Sequence, residues 1–281
     1  MTATMQIPLT YVIVLNWNGK RDTLECLASL QRASHPSMRT LVVDNGSTDG
    51  SARAIRETHP EVTLLETGSN LRYAGGNNAG IRFALEKNAE QIMLLNNDTT
   101  VDPEFLGALT GTLQSSADAG IAAPKILYSA DPGRLWYAGG EISFWTGTMR
   151  HRGIREADDG RYDVACETGY ASGCCLLAKR STIEKIGLLD ESYFMYTEDA
   201  DWCMRARLAG FRVMYEPRAR VWHKVSVSAG GHLSSFKLKN KFRSNLRFFS
   251  RYAAWYHWLV FPWMNILTNG IAAGRYLLSG R

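Results

Sequence analysis

Asp98 ends a polar cluster, Asn96-Asn97-Asp98, that follows the apolar run Ile92-Met93-Leu94-Leu95. A short apolar run bounded by polar residues reads as a strand buried on both faces. In an open α/β sheet ligands bind just beyond the carboxyl ends of such strands, so Asp98 is the first candidate for a metal ligand. The same residues also fit a plain turn that caps a helix. A second acidic point is Glu198-Asp199-Ala200-Asp201, three carboxylates within four residues. Charges that close raise at least one pKa, as a general base needs, although an acidic first turn also complements a helix dipole. His223 ends a third stretch, the strand-like Ala219–Trp222. A neutral imidazole there could complete a metal site, or simply close a strand.

The elements that must position these groups follow from periodicity. Tyr11–Leu15, Thr40–Val43, Val62–Leu65 and the run before Asp98 read as strands. Asp22-Thr23-Leu24-Glu25 and Ser181-Thr182-Ile183-Glu184 have the form of capping boxes, and Asp102-Pro103-Glu104 has the form of a helix start. Gly75–Gly80 opens a helix that runs to about Asn88. Four strands alternating with three helices make a βαβ series, hence a mainly parallel, Rossmann-like α/β sheet with helices on both faces. The stretch Gly75-Gly76-Asn77-Asn78-Ala79-Gly80 lacks the G-x-G spacing of a dinucleotide fingerprint, which excludes a nicotinamide cofactor. Phe211–Glu216 and Ala219–Trp222 read as two strands, with a helix before them that Gly210 closes.

The chain has 281 residues, 45% hydrophobic and 21% charged, enough for one large or two small domains with a substantial core. Met1–Pro8 lacks a charged segment followed by an apolar one, so no secretory leader is expected. The five cysteines are odd in number and lack C-x-x-C spacing, which fits reduced thiols in a cytosol rather than a zinc site or disulfides. The net charge of +5 hides an asymmetry: no Asp or Glu follows Glu216, whereas residues 217–281 hold eleven Lys and Arg. The first 216 residues hold the other 21 basic side chains against all 27 acidic ones, a net of −6. An acidic body with a basic tail points to an anionic partner for the tail.

Six stretches in order carry a resemblance: Val14–Gly19, Val43–Gly50, Gly75–Gly80, Leu94–Thr99, Thr197–Trp202 and Val221–His223. Together they resemble glycosyltransferase family 2, inverting enzymes with the GT-A fold. The nearest likeness is to bacterial rhamnosyltransferase-like members that build cell-surface polysaccharides. The resemblance implies Mg2+ or Mn2+ held by Asp98, in a D-x-D motif whose first position is here Asn96, with His223 as second protein ligand. It implies nucleotide contacts from Asn16, Asp44, Asn77, Asn78, Asn96 and Asn97, with Asp44 accepting from a pyrimidine N3–H. It implies Asp199 as base, with Glu198 and Asp201 beside it in the E-D motif. The implied donor is a nucleotide sugar such as dTDP-L-rhamnose, and the acceptor a glycan or lipid-linked glycan. Moving a sugar off a nucleoside diphosphate needs charge neutralised on the leaving group, which a hard divalent ion does with one or two protein carboxylates.

Residues 1–230 are expected to form the catalytic domain, and 231–281 a basic, aromatic helical region. Phe236–Tyr252 interleaves six Lys and Arg with Phe242, Leu246, Phe248 and Phe249, and an uncharged stretch with Trp255, Trp258 and Trp263 follows. Two amphipathic helices on an anionic membrane surface fit this best. That places the protein peripherally on the inner face of the plasma membrane, with a buried or homodimer-forming core and a span as alternatives. The aromatic stretch Tyr193–Tyr196, with Trp202 and Trp222, is read as core. Nucleic acid is excluded as a partner by the acidic body and the absence of a binding module. A nucleotidyltransferase is a rival, but it wants a glycine-rich loop where Asn16-Trp17-Asn18-Gly19 stands. A non-catalytic sugar- or lipid-binding module is a second rival, against which Asp98, Asp199 and His223 speak.

Overall fold

The computed structural model describes residues 7–225, 235–261 and 263. The first half alternates strictly: β1 (Thr10–Asn16), α1 (Lys20–Gln31), β2 (Met38–Asp44), α2 (Ser51–Thr58), β3 (Thr63–Glu66), α3 (Arg72–Glu86) and β4 (Gln91–Asn96). Val12–Val14, Leu41–Val43 and Ile92–Leu95 are buried, as continuous apolar runs in a covered parallel sheet should be. The strands lie in the order β3-β2-β1-β4, all parallel. The chain thus steps outward from β1 and then returns to its other side. Right-handed crossovers then put α1 and α2 on one face and α3 on the opposite one. The reversal makes a crevice at the carboxyl ends of β1 and β4, the place where ligands bind in such sheets.

The second half widens this sheet with β5 (Thr99–Val101), α4 (Phe105–Gln114), β6 (Ala119–Tyr128), β7 (Leu135–Tyr137), β8 (Gly140–Ser143), β9 (Thr148–His151), β10 (Cys166–Glu167), β11 (Cys175–Lys179), α5 (Arg180–Ile186), α6 (Glu198–Leu208), β12 (Arg212–His223) and α7 (Ser235–Tyr252). β11 inserts antiparallel between β4 and β6, and β12 runs parallel to β6. β8 and β9 form a separate hairpin. β12 is one strand with an irregularity between Glu216 and Arg220, not the two strands expected. Its last residues pair antiparallel with β5, Val221 to Val101 and His223 to Thr99.

Both capping boxes were misread. α1 starts at Lys20 behind Gly19, and α5 starts at Arg180 behind Lys179, neither with a side-chain cap. Asp22 and Glu25 instead hold Lys224 Nζ, each at 2.7 Å. α7 is packed into the body: Phe248 and Phe249 join the main core against Phe144, and Arg251 reaches Asp190 and Asp201, both at 3.2 Å. The helix beyond the composition shift near residue 230 therefore shares the core of the residues before it. No helix among the described residues is long and apolar enough to cross a membrane. Pro262 and residues 264–281 lie outside the described residues.

α3 begins at Arg72, so Gly75–Gly80 lies within it and not at its start. Its glycines serve close packing. A Cβ at Gly80 would lie 2.8 Å from Ile13 Cγ2 and 2.9 Å from Val43 Cγ2, β-branched methyls on two buried strands. Alanine would gain about 1 kcal/mol of helix propensity there, but overpacking a core costs about 1–3 kcal/mol. We expect Gly80→Ala to lower the denaturation midpoint. Gly107→Ala in α4, where a Cβ meets nothing within 4 Å, should raise it.

Candidate active site at the carboxyl edge of the sheet

The side-chain amide of Asn16, fully buried at the end of β1, ties three strand ends together. Its Nδ2 donates to Asp44 Oδ2 at 2.8 Å and Ser47 Oγ at 3.1 Å. Its Oδ1 accepts from Gly19 N at 3.1 Å, Thr23 Oγ1 at 2.8 Å and Asn97 Nδ2 at 3.3 Å. Asp44 completes its own shell by accepting from Ser47 N at 2.9 Å. Asn16 and Asp44, expected at the nucleotide, are thus buried and bonded to each other, and they shape the loops around the crevice.

Asn97 reaches this hub because residue 19 has no side chain: a Cβ on Gly19 would lie 2.3 Å from Asn97 Nδ2. The glycine in Asn16-Trp17-Asn18-Gly19 was the available signal for that close approach. Asn96 ends β4, where its backbone N–H donates to Cys174 O at 2.9 Å.

Asn77 and Asn78, expected at the nucleotide, lie within α3. Asn77 is buried and donates to Tyr73 O one turn back, at 3.0 Å. Asn78 clasps the 189–191 loop, donating to Leu189 O at 2.9 Å and Glu191 Oε1 at 2.8 Å and accepting from Leu189 N at 3.0 Å. In this structure the Asn77 amide bonds within α3, and the Asn78 amide ties α3 to that loop.

Asp98 and His223 are brought together although 125 positions separate them. The pairing of His223 with Thr99 sets the imidazole beside Asp98, with Nε2 3.2 Å from Asp98 Oδ1. Asp98 O accepts from Lys224 N at 2.9 Å, and the contacts of Lys224 with Asp22 and Glu25 pin this strand end to α1. His223 lies edge-on to Trp136 at 4.6 Å, and its buried Nδ1 has no hydrogen-bond partner among the described residues. No group of three His, Cys, Asp or Glu that could hold a metal occurs among the described residues. One carboxylate and one imidazole facing each other at 3.2 Å nevertheless fit Mn2+ or Mg2+, which fill their shells with phosphate oxygens and water.

The acidic turn of α6 separates into two environments. Asp199 Oδ2 accepts from Gly173 N at 2.7 Å and Oδ1 from Ala200 N at 2.8 Å. Burial raises its pKa, and the backbone donors pull it back. Glu198 is pushed up to about 8 by burial and then by the Asp199 charge. Its Oε2 is buried without a hydrogen-bond partner among the described residues. Asp201, expected beside the base, is instead an anchor. Fully buried, it accepts from Arg205 Nε at 2.8 Å, Tyr252 Oη at 2.7 Å, and Tyr193 Oη and Arg251 Nη1 at 3.3 and 3.2 Å. Tyr196 and Thr197, just before Glu198, both hold left-handed backbone, φ 70° and 75°. Strain of this kind in non-glycine residues gathers at functional sites, and no sequence signal announced it. Phe194 and Tyr196 are also exposed, at 38% and 36%, so the stretch read as core supplies surface aromatics next to the acidic turn. Cys174 and Cys175 are buried, which pushes both thiols up and suits a small apolar pair rather than nucleophiles.

The family model described as "Glycosyl transferase family 2" matches residues 11–187, well over half of the chain. The chain belongs to glycosyl transferase family 2. It is 29% identical over 257 residues to the N-acetylglucosaminyl-diphospho-decaprenol L-rhamnosyltransferase of Mycobacterium tuberculosis, covering 82% of this chain and 80% of that protein. It is 27% identical over 248 residues to a low-salt glycan biosynthesis hexosyltransferase of Haloferax volcanii, covering 85% and 76%. Among solved structures it resembles a mannosyltransferase of Pyrobaculum calidifontis in complex with GDP-Man and Mn2+. The TM-score is 0.67 at 19% identity, over 99% of this chain and 77% of that one. The fold is therefore GT-A, with a large mixed sheet that is parallel across β3-β2-β1-β4. The family match ends at residue 187, so Asp199 and His223 stand in this glycosyltransferase on their own geometry.

The raised Glu198 carboxyl makes stability depend on pH. An unfolded glutamate titrates near 4.3, roughly, and the folded one near about 8. Between these values the unfolded chain binds fewer protons, so stability from the neutral carboxyl is full below the lower value and is lost as pH climbs through the higher. The melting temperature should fall across that window, and less steeply in Glu198→Gln, as calorimetry at several pH values would show.

Proposed function

We propose that this family 2 glycosyltransferase is an inverting, divalent-metal-dependent enzyme. It moves a sugar from a nucleoside diphosphate donor to a hydroxyl of a glycan or lipid-linked glycan in polysaccharide synthesis. The observation that carries the reading is that two adjacent residues touch both halves of the machinery. Cys174 O accepts from Asn96 N at the Asp98 end of β4, while Gly173 N donates to Asp199. The Gly173–Cys174 loop supports the reading by linking the Asp98 end of β4 to Asp199, on the edge where α/β sheets bind ligands. In this reading Asp98 and His223 would hold the metal, which would supply charge neutralisation for the leaving diphosphate.

Asp199 takes the proton of the acceptor hydroxyl as its oxygen bonds to the anomeric carbon and the bond to the diphosphate breaks. Burial keeps the carboxylate basic, and the two backbone N–H groups hold its orientation. Glu198, neutral around pH 7, adds no second negative charge beside it. L-Rhamnose, activated as its dTDP sugar, is the donor we favour, and the name of the M. tuberculosis relative supports the sugar. Peripheral membrane association is supported by exposed Phe242, Trp255, Leu259 and Trp263 on and beyond α7.

Asp199→Asn should fold and bind donor while transfer falls by about two to four orders of magnitude. Transfer within tenfold of wild type, roughly, would remove Asp199 from the role of base. His223→Ala should weaken Mn2+-dependent nucleoside diphosphate binding by about tenfold or more, with the melting temperature of the unliganded protein little changed. Equal Mn2+-dependent binding in calorimetry would remove His223 from the ligand set.

A further inference from the structure

An open cavity of about 810 Å³ lies between α7 and the 192–194 segment, and four cations face it: Arg72, Lys239, Arg243 and Arg247. Lys239, Arg243 and Arg247 recur every fourth residue, so they stand on one helix face, where like charges weaken a helix by a few tenths of a kcal/mol per pair, roughly. None of the four has a carboxylate within ion-pair distance among the described residues. Arg251, the next residue in the same stripe, is by contrast paired with Asp190 and Asp201. Arg72 stands on the facing wall in left-handed backbone, φ 64°, with its guanidinium 4.0 Å from the Phe194 ring centroid. Both walls therefore accept unfavourable local arrangements to present positive charge. Phe194 and Leu246 add exposed apolar surface to the lining, at 38% and 43%.

Two short runs of chain and hydrogen bonds link the walls of the cavity to Asp199. The 192–194 wall continues through Thr197, which donates to Asn245 of α7 at 3.1 Å, into Glu198 and Asp199. Arg72 precedes Tyr73, whose hydroxyl donates to Gly173 O at 2.6 Å, and Gly173 N holds Asp199.

We infer that this groove is an acceptor subsite, in which the four cations bind the phosphate or diphosphate of an amphiphilic acceptor and deliver its hydroxyl to Asp199. The inference rests on the glycosyltransferase reading above and adds the chemical class of acceptor. Guanidinium groups pair with phosphate oxygens two at a time, and the lysine adds a point charge. The Phe194 and Leu246 side chains take the first part of the apolar chain. The groove lies on the Asp199 side of the Gly173–Cys174 loop, while Asp98 and His223 serve the donor's diphosphate through β4.

Calorimetry with farnesyl diphosphate, free of vesicles, tests this on the full chain. Lys239→Gln/Arg243→Gln should raise the dissociation constant by about tenfold or more, with the melting temperature unchanged. Arg72→Gln on the opposite wall should give a loss of the same sign, and farnesol should not compete. Equal affinity for farnesyl diphosphate in wild type and the double variant would overturn the subsite. So would loss of binding to phosphatidylglycerol vesicles with farnesyl diphosphate affinity retained, because the cations would then serve lipid headgroups. Turnover of donor to free sugar by wild type is read separately. Its absence would count against the transferase reading, whereas the charge dependence of diphosphate binding would still decide the groove.

Discussion

The hydrogen bonds of the Asn16 amide are the constraint on which the edge of this sheet depends. Parallel strands deliver their carboxyl ends to one edge, but each then leaves into a loop with no ladder to hold it. Here one fully buried amide bonds the loops after β1, β2 and β4. Removing it would leave Asp44, only 3% exposed, without one of its donors, a penalty of about 1–3 kcal/mol or more for a buried charged group. The loops are therefore fixed before any ligand arrives, and the position of Asp98 is inherited from that fixing through Asn97. Residues expected at the nucleotide therefore also serve as framework for the loops around it.

The Asp98–His223 pair depends on a second constraint, the register of β12. Because His223 pairs with Thr99, the imidazole must lie beside the residue before β5, which is Asp98. A slip of one residue would turn the side chain to the opposite face of the sheet. The Lys224 contacts with Asp22 and Glu25 brace that register from α1. A long-range carboxylate–imidazole pair is thus produced by strand pairing, with the ion pairs of a neighbouring helix as a brace.

Much of this was legible in the sequence where local rules govern. The continuous apolar runs of β1, β2 and β4 announced a buried parallel sheet, and the polar residues after them announced its working edge. What failed did so for tertiary reasons. The S/T/D-x-x-E patterns at Asp22 and Ser181 looked like capping boxes, but Asp22 and Glu25 were needed as partners of Lys224, and helix starts fell elsewhere. Pro217 and Arg218 suggested a break in β12 that the sheet absorbs as an irregularity. Asn77 and Asn78 lie in a glycine-rich segment that resembles a ligand loop, yet the glycines let α3 press against Ile13 and Val43. The cationic groove was invisible because Arg72 stands more than 160 positions from Lys239, and long-range contacts of Phe248, Phe249 and Arg251 bring α7 there.

Asp199 and Asp201 show why spacing alone does not assign a base. Both sit in the first turn of α6, two residues apart, so they point to different sides of the helix. Asp201 turns inward to two arginines and two tyrosine hydroxyls, where its charge is compensated and its position locked. Asp199 turns toward Gly173 and finds only backbone donors, so burial outweighs stabilisation and its proton affinity rises. The anchored carboxylate ties α6 to α7, and with it the groove wall to the turn that carries Asp199. A single helical turn therefore joins the Gly173–Cys174 loop to the cationic surface of α7, with one carboxylate held by backbone donors and its neighbour by side chains.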